Sequence, residues 1–383
     1  MRTPPEEPLI PPPRIAVDLR AAIRPPTGIG VYTLALLGEL ARGGEFELVA
    51  MAHREPAVAG ELRSLGVAVE VQPAPLGVVW QQARLPARLA RGDIDLFWSP
   101  LLTLPRRTPV PAVVTVHDLA VLHVPETLPW KVRWSLLPFL GSSVERADRL
   151  VVGTERVARE IEAAFPAARG KCVVVPHGVD PVFRPADASK RRAIRAELGA
   201  PGGYLLAVGT LEPRKNLPLL LDAWERLRAE RGEATPPLLL AGPPGWKDEA
   251  LRRRLAQLAG AGVRHLGRLE RPALVRAYQG ALGLVYPSIY EGFGLPVAEA
   301  LACGRAVVVA ADGSPAEVAG DAGWTFHAES AEELAAAIER LLAAADEPEV
   351  AARARRRAER YSWPLAAARL GEIFHAVLAE RAR

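Results

Sequence analysis

The chain has 383 residues, too long for one ordinary domain, and its 49% hydrophobic and 24% charged content describes a globular protein rather than a disordered one. Cys172 and Cys303 are the only cysteines, and the seven histidines show no HExxH spacing, which excludes a disulfide framework and a zinc site and fits a reducing cytoplasm. Lys and Arg outnumber Asp and Glu by 48 to 44, a net charge of +4 that is too even for a nucleic-acid binder.

The opening stretch, Met1 to Pro13, has two acids, repeated prolines and no apolar centre, so it reads as a loose tail rather than a signal peptide. No apolar run approaches the ~18 residues that a bilayer span needs. Short β-branched runs then alternate with longer helical stretches. Strands are predicted at Arg14–Leu19, Leu96–Ser99, Val113–His117, Leu150–Gly153 and Cys172–Pro176, and helices at Leu34–Leu40, Trp130–Arg146 and Glu155–Ala164. The pattern restarts with strands at Tyr204–Val208, Leu238–Ala241, Val263–Leu266, Gly283–Tyr286, Ala306–Ala310 and Trp324–Phe326. The intervening helices are Leu217–Arg231, Glu249–Leu258, Ala273–Gly280 and Glu332–Ala345. Such alternation predicts an α/β protein with two Rossmann-like, doubly wound parallel-sheet domains and an interdomain cleft. The domains are expected at residues 1–182 and 183–364, joined through Asp180–Gly203.

Ligands of parallel sheets sit beyond the carboxyl ends of the strands, so the loops after strands carry the functional argument. Thr27-Gly-Ile-Gly-Val-Tyr32, with Gly28 and Gly30, follows the first strand, and Val113-Val-Thr-Val-His-Asp-Leu119 ends a strand in His117 and Asp118. Pro129-Trp-Lys-Val-Arg-Trp-Ser-Leu-Leu-Pro-Phe-Leu140 mixes Trp and cations with apolar residues. It reads either as an interfacial membrane helix or as a core-facing helix with its basic residues outside. The core-facing reading is preferred, because Pro138 interrupts the pattern.

In the second half, Val208-Gly-Thr-Leu-Glu-Pro-Arg-Lys-Asn216 places Gly209, Thr210, Arg214 and Lys215 between a strand and a helix. Lysine is scarce (Lys131, Lys171, Lys190, Lys215 and Lys247), and two cations at a helix start suit a diphosphate. Pro287-Ser-Ile-Tyr-Glu-Gly-Phe-Gly-Leu-Pro-Val-Ala-Glu299 follows a strand and opens a helix at Pro296. The N–H groups of Gly292, Phe293, Gly294 and Leu295 can approach an anion there, with Glu291 before them and Glu299 one turn into the helix.

This last segment resembles the E-x7-E motif of retaining GT-B glycosyltransferases of family 4, and matches to that family run in order from about Arg14 to Pro364. The resemblance implies the GT-B fold, with helix 365–383 crossing back onto the first, acceptor-side domain. It implies transfer of a hexosyl group from a nucleoside diphosphate sugar to a hydroxyl of a glycan, lipid-linked or small-molecule acceptor. Glu291 and His117 are then expected beside the donor sugar, Glu299 on the ribose, and Arg214 and Lys215 on the departing diphosphate. Gly28, Gly30, Gly209, Thr210, Gly292, Phe293, Gly294 and Leu295 are expected to approach the donor. Many relatives carry Arg where this chain has Thr210, and Pro where Ala316 precedes Glu317, so Glu317 is left outside the site.

No metal and no other cofactor are expected. Likeness to mannosyltransferases with a GTLEPRKN-type loop points to a GDP-sugar, mannose in particular, rather than a UDP-sugar. The expected location is cytoplasmic, with peripheral contact at the inner membrane face through the first domain as an added partner and the oligomeric state open. Two rivals remain: a nucleotide-sugar-binding protein without turnover, and a phosphorylase or epimerase on the same fold.

Overall fold

The computed structural model describes residues 11–24, 28–246, 248–345 and 347–381; Thr27 and most of the proline-rich tail lie outside them. In the first half, seven parallel strands form one sheet: β1 (Arg14–Asp18), β2 (Glu47–Ala52), β3 (Ala68–Val71), β4 (Leu96–Ser99), β5 (Ala112–Val116), β6 (Arg149–Val152) and β7 (Cys172–Val174). Their order is β3-β2-β1-β4-β5-β6-β7. The second half repeats the plan with six strands: β8 (Leu205–Val208), β9 (Leu238–Ala241), β10 (Val263–His265), β11 (Gly283–Tyr286), β12 (Ala306–Ala310) and β13 (Gly323–Phe326), in the order β10-β9-β8-β11-β12-β13. Both orders reverse once, between β1 and β4 and between β8 and β11, which is the doubly wound arrangement whose crevice receives ligands. Two such domains make the GT-B fold.

The strands read as continuous apolar runs because helices cover both faces of each sheet. β5, Ala-Val-Val-Thr-Val, is buried from end to end. Along β1, Ile15 and Val17 join one core while Ala16 joins the other, on the opposite face. β2 and β3 escape a reading by propensity. β2 is Glu-Leu-Val-Ala-Met-Ala, with one β-branched residue, and β3 is a short, half-buried edge strand.

The helix Ala188–Glu197, capped by the Asp187 carboxylate on the Lys190 N–H, lies inside the predicted join. It belongs to the second domain, because the Arg195 guanidinium donates to the Gly280 carbonyl. The last helix, Trp363–Arg381, lies on the first domain. Phe374 is fully buried, with ring centroids 5.6 Å from Phe46 and 6.0 Å from Trp98. Burial of a side chain of that size stabilises by roughly 1.5–3 kcal/mol, so the chain's end is built into the first core.

One expectation is corrected. The helix Trp130–Arg146 does turn Leu140 and Val144 to the core, but it holds Trp130, Trp134 and Leu137 at the surface, 65%, 74% and 43% exposed. The basic residues do not have the outer face to themselves. Among the described residues no helix is long and apolar enough to cross a membrane.

Candidate active site

At the carboxyl ends of β8 and β11, the switch point of the second sheet, a small crevice is lined by Gly209, Lys215, Tyr286 and Ser288. The chain after β8 turns through Gly209 at φ 151°, and Pro213–Lys215 forms a single 3-10 turn. Asn216, at φ 51° the one left-handed non-glycine among the described residues, starts the helix Leu217–Arg231, its side-chain amide donating to the Ala328 carbonyl. Left-handed backbone costs a non-glycine least when it is Asn or Asp. The turn aims Arg214 and Lys215 at the end of β11.

There they meet Glu291. The Lys215 Nζ donates to Glu291 Oε1 at 2.5 Å and to the Tyr286 hydroxyl at 2.9 Å, and the Arg214 guanidinium lies 3.5 Å from Glu291 Oε2. Burial opposes the charge on each of the three groups. Burial is the largest single influence on Lys215 and Arg214, but their anionic neighbours together outweigh it, Glu291 first, with Asp118 and Glu212 adding to it at Arg214, and both pKa values rise. On Glu291 the two cations outweigh it, Lys215 first, and its carboxyl is held below the usual range. The site therefore holds an ionised cluster around the buried Glu291, with an excess of one positive charge before its other acids are counted. Arg214 also faces Glu212 at 3.1 Å and, from the first domain, Asp118 at 3.5 Å.

Gly294, at φ 98°, caps the helix Leu295–Ala302, and Pro296 occupies its first turn. Gly292 sits against the first domain, where a Cβ would collide with the carbonyl oxygen of His117, and its own carbonyl accepts from the Thr154 hydroxyl at 3.2 Å. Phe293 is buried in the junction, stacked on His177 at 4.6 Å and edge-on to Tyr361.

His117 Nε2 lies 2.9 Å from the Pro100 carbonyl oxygen. A carbonyl only accepts, so Nε2 carries the proton, and burial lowers the ring's pKa and keeps it neutral. Tyr32 stands edge-on to this ring at 4.7 Å, tying His117 to the helix that begins at Gly28 and contains Gly30. Gly28 is left-handed at φ 45° with open space around it.

Glu299 lies apart from the Lys215 cluster. It accepts from the Tyr278 hydroxyl at 2.8 Å between the helices Arg271–Gly280 and Leu295–Ala302 and is partly buried. Burial raises its pKa to about 7, with the Tyr278 bond opposing. If the expected ribose contact is made, its hydroxyls donate best to the ionised form, and nucleotide affinity should strengthen as pH rises from about 6 to 8, by at most tenfold per unit. The difference between the native protein and Glu299→Gln measures this by calorimetry, because the phosphate's own titration cancels. In the free protein the sign is opposite. The shift contributes stability below the unfolded pKa of 4.5 that is lost as pH rises through about 7.

Several site residues carry no sequence signal of their own. Tyr286 and Tyr278 are recognised only from their partners. Gly242 and Gly245, in the Gly-Pro-Pro-Gly turn after β9, let that turn cross the Gly209–Leu211 loop: a Cβ on either would strike the carbonyl oxygen of Gly209 or Leu211. Thr210 touches this turn through its methyl and makes no other described side-chain bond. Glu317, left outside the site, accepts from the Glu155 and Arg156 N–H groups at the start of a first-domain helix, and so clasps the two domains.

Residues 26–183 match the family described as Glycosyltransferase Family 4, and residues 190–360 match Glycosyl transferases group 1. O-antigen chain mannosyltransferase B of Escherichia coli is 30% identical over 358 residues, 88% of this chain and 93% of that protein. The D-inositol 3-phosphate glycosyltransferase of Thermobispora bispora is 34% identical over 283 residues, 69% of this chain and 65% of that protein. Among solved structures, Anabaena Alr3699/HepE in complex with UDP superposes with a TM-score of 0.74 at 19% identity, covering 95% of this chain and all of that one. WaaG, a glycosyltransferase involved in lipopolysaccharide biosynthesis, superposes at 0.68 and 17% identity. At such identities these structures speak for the fold.

Proposed function

This chain belongs to the family 4 glycosyltransferases, and from that premise we propose that it is a retaining, metal-independent hexosyltransferase whose donor is a nucleoside diphosphate sugar, GDP-mannose first. The observation that carries the reading is the partly buried pair Arg214 and Lys215, held by one short turn at a helix start and facing the single carboxylate of Glu291. A diphosphate entering beside Lys215 supplies the anion that this cluster, with its two cations, accommodates. The name of the Escherichia coli relative favours mannose, whereas a neighbouring structure holds UDP, so the base is the finer question.

The chemistry follows from charge. As the bond from the anomeric carbon to the phosphate oxygen breaks, negative charge grows on the diphosphate and positive charge on the sugar ring. Lys215, Arg214 and the N–H groups of the Gly292–Leu295 turn stabilise the first. Glu291, paired with Lys215, stabilises the second. The acceptor hydroxyl attacks the same face, its oxygen bonding to the anomeric carbon while its proton passes to the leaving phosphate oxygen. No protein base is then needed, which agrees with a neutral His117 bound to a carbonyl. Sugar release from GDP-mannose and UDP-glucose, each with and without excess EDTA, tests the reading. Transfer should continue in EDTA and favour GDP-mannose. Loss of transfer in EDTA with recovery on adding Mg²⁺ would overturn the metal-independent part, and turnover only with free phosphate would favour a phosphorylase.

A further inference from the structure

We propose that Tyr290 is a positioning residue for the transfer reaction inferred above: its hydroxyl, seated in the first domain, fixes the backbone from which Glu291 acts. Tyr290 lies in the loop after β11 of the second domain, yet it is only 5% exposed, because its side chain enters the first domain. There its hydroxyl accepts from the Leu119 N–H at 3.0 Å and donates to Glu160 Oε2 at 2.6 Å. Burial, and then the Glu160 bond, push the pKa of this hydroxyl up, so it keeps the proton that it donates.

The two partners stand on separate elements. Leu119 follows His117 and Asp118 after β5, and Glu160 belongs to the helix Glu155–Ala164. Glu160 has a bond of its own, since its Oε1 accepts from Arg156 Nε at 2.8 Å, and the His123 ring lies 5.4 Å from the Tyr290 ring. Phe would fill the same space and need no partner. The hydroxyl adds two directed bonds to the other domain.

The neighbours of Tyr290 turn this seat into a constraint on Glu291. The Ile289 N–H donates to the Arg214 carbonyl at 3.0 Å, and the Glu291 side chain pairs with Lys215. Three successive residues are therefore anchored: the first by its backbone to the cation-bearing turn, the second by its side chain to the first domain, the third by its side chain to Lys215. Lys215 and Arg214 set where the Glu291 carboxylate is drawn, and Tyr290 sets where its backbone stands. Placement of that kind governs rate, because a shift of about 1 Å in a reacting group is felt strongly.

Tyr290→Phe, which keeps the ring and removes the hydroxyl, tests the proposal. Its kcat/KM for GDP-mannose should fall about tenfold, the effect of one hydrogen bond to a charged group. GDP, bound by the second domain, should keep its affinity within about threefold, which also shows that the variant folds. In a Glu291→Gln background the same substitution should cost less than about threefold, because Tyr290 acts through Glu291. Glu160→Ala should reproduce the loss and add little to Tyr290→Phe. Glu160→Gln, which keeps a carbonyl oxygen for the hydroxyl, should recover most of it. Hydrogen exchange at the Leu119 amide reads the seat without turnover, and it should quicken in Tyr290→Phe but not in Glu291→Gln. If the native chain transfers no sugar, the transfer reading and the role at Glu291 fall together, whereas the seat stands or falls on the Leu119 amide. The proposal is overturned if Tyr290→Phe keeps native kcat/KM, if its loss is as large in the Glu291→Gln background, or if Leu119 exchange is unchanged.

Discussion

Lys215→Ala should lower turnover on the order of 10²–10³-fold, the range for loss of one preorganised donor to a developing anion. Lys215 reaches Glu291 and Tyr286 together from a partly buried position. The same substitution should weaken a nucleoside diphosphate by about 1.5–3 kcal/mol, the value of a charged hydrogen bond, while the bare nucleoside binds as before. Removing Lys215 leaves Glu291 buried with Arg214 alone, which itself destabilises. Lys215→Ala with Glu291→Gln removes that complication, and its thermal midpoint should lie above that of Lys215→Ala. Steady-state rates on both proteins measure the effect. Turnover within threefold of the native rate would mean that Lys215 does not meet the leaving group.

Gly292→Ala is expected to be almost as damaging for a different reason. The added methyl would strike the carbonyl oxygen of His117, which belongs to the other domain. Gly292 is not among the left-handed residues, so its own backbone accepts alanine without strain. The second domain should fold and bind nucleotide within a few-fold of normal, while the two domains fail to approach. Misplacement of reacting groups by about 1 Å can cost 10²-fold, and a loss of that order in turnover is expected. Rates, with the radius of gyration in solution as a second readout, check it: the variant should be slow and more extended. Normal turnover would show that the His117–Gly292 apposition is not the working geometry.

These two residues also mark the limit of what the sequence discloses. The parallel sheets are legible because buried strands such as Ala306–Ala310 and Ala112–Val116 are nearly unbroken β-branched runs. The Pro287–Glu299 segment is legible because its glycines, proline and acids are contiguous around one strand-to-helix turn. What is not legible is the pairing across the cleft. Lys215 and Tyr286 are 71 residues apart and Arg214 and Asp118 are 96 apart, and no local period links them. The approach of Gly292 to His117 depends on how two domains meet, which neither segment encodes alone. The Trp130–Arg146 helix fails for another reason. Its period shows that apolar residues recur, but Trp134 and Leu137 are apolar and outside, so composition misassigns the face. β2 is not legible because Ala and Met make it a poor strand in isolation, and pairing of Glu47 to Met51 with β1 overrides that.

Glu291 and Glu299 divide the donor between them in this account, the first meeting the sugar and the second the ribose. Glu291 has an added effect in this account: its carboxylate already holds Lys215, and so would compete with a diphosphate for it. A calorimetric titration of GDP into Glu291→Gln and Glu299→Gln tests the division most directly. Glu291→Gln should bind GDP as tightly as the native protein or a few-fold more tightly, since it frees a cation while removing nothing that the nucleotide touches, and its turnover should fall by roughly tenfold or more. Glu299→Gln should bind GDP more weakly, by about 1.5–3 kcal/mol for a charged hydrogen-bonding group. Equal losses of GDP affinity in the two variants, or a Glu291→Gln protein that binds GDP more weakly than Glu299→Gln, would contradict it.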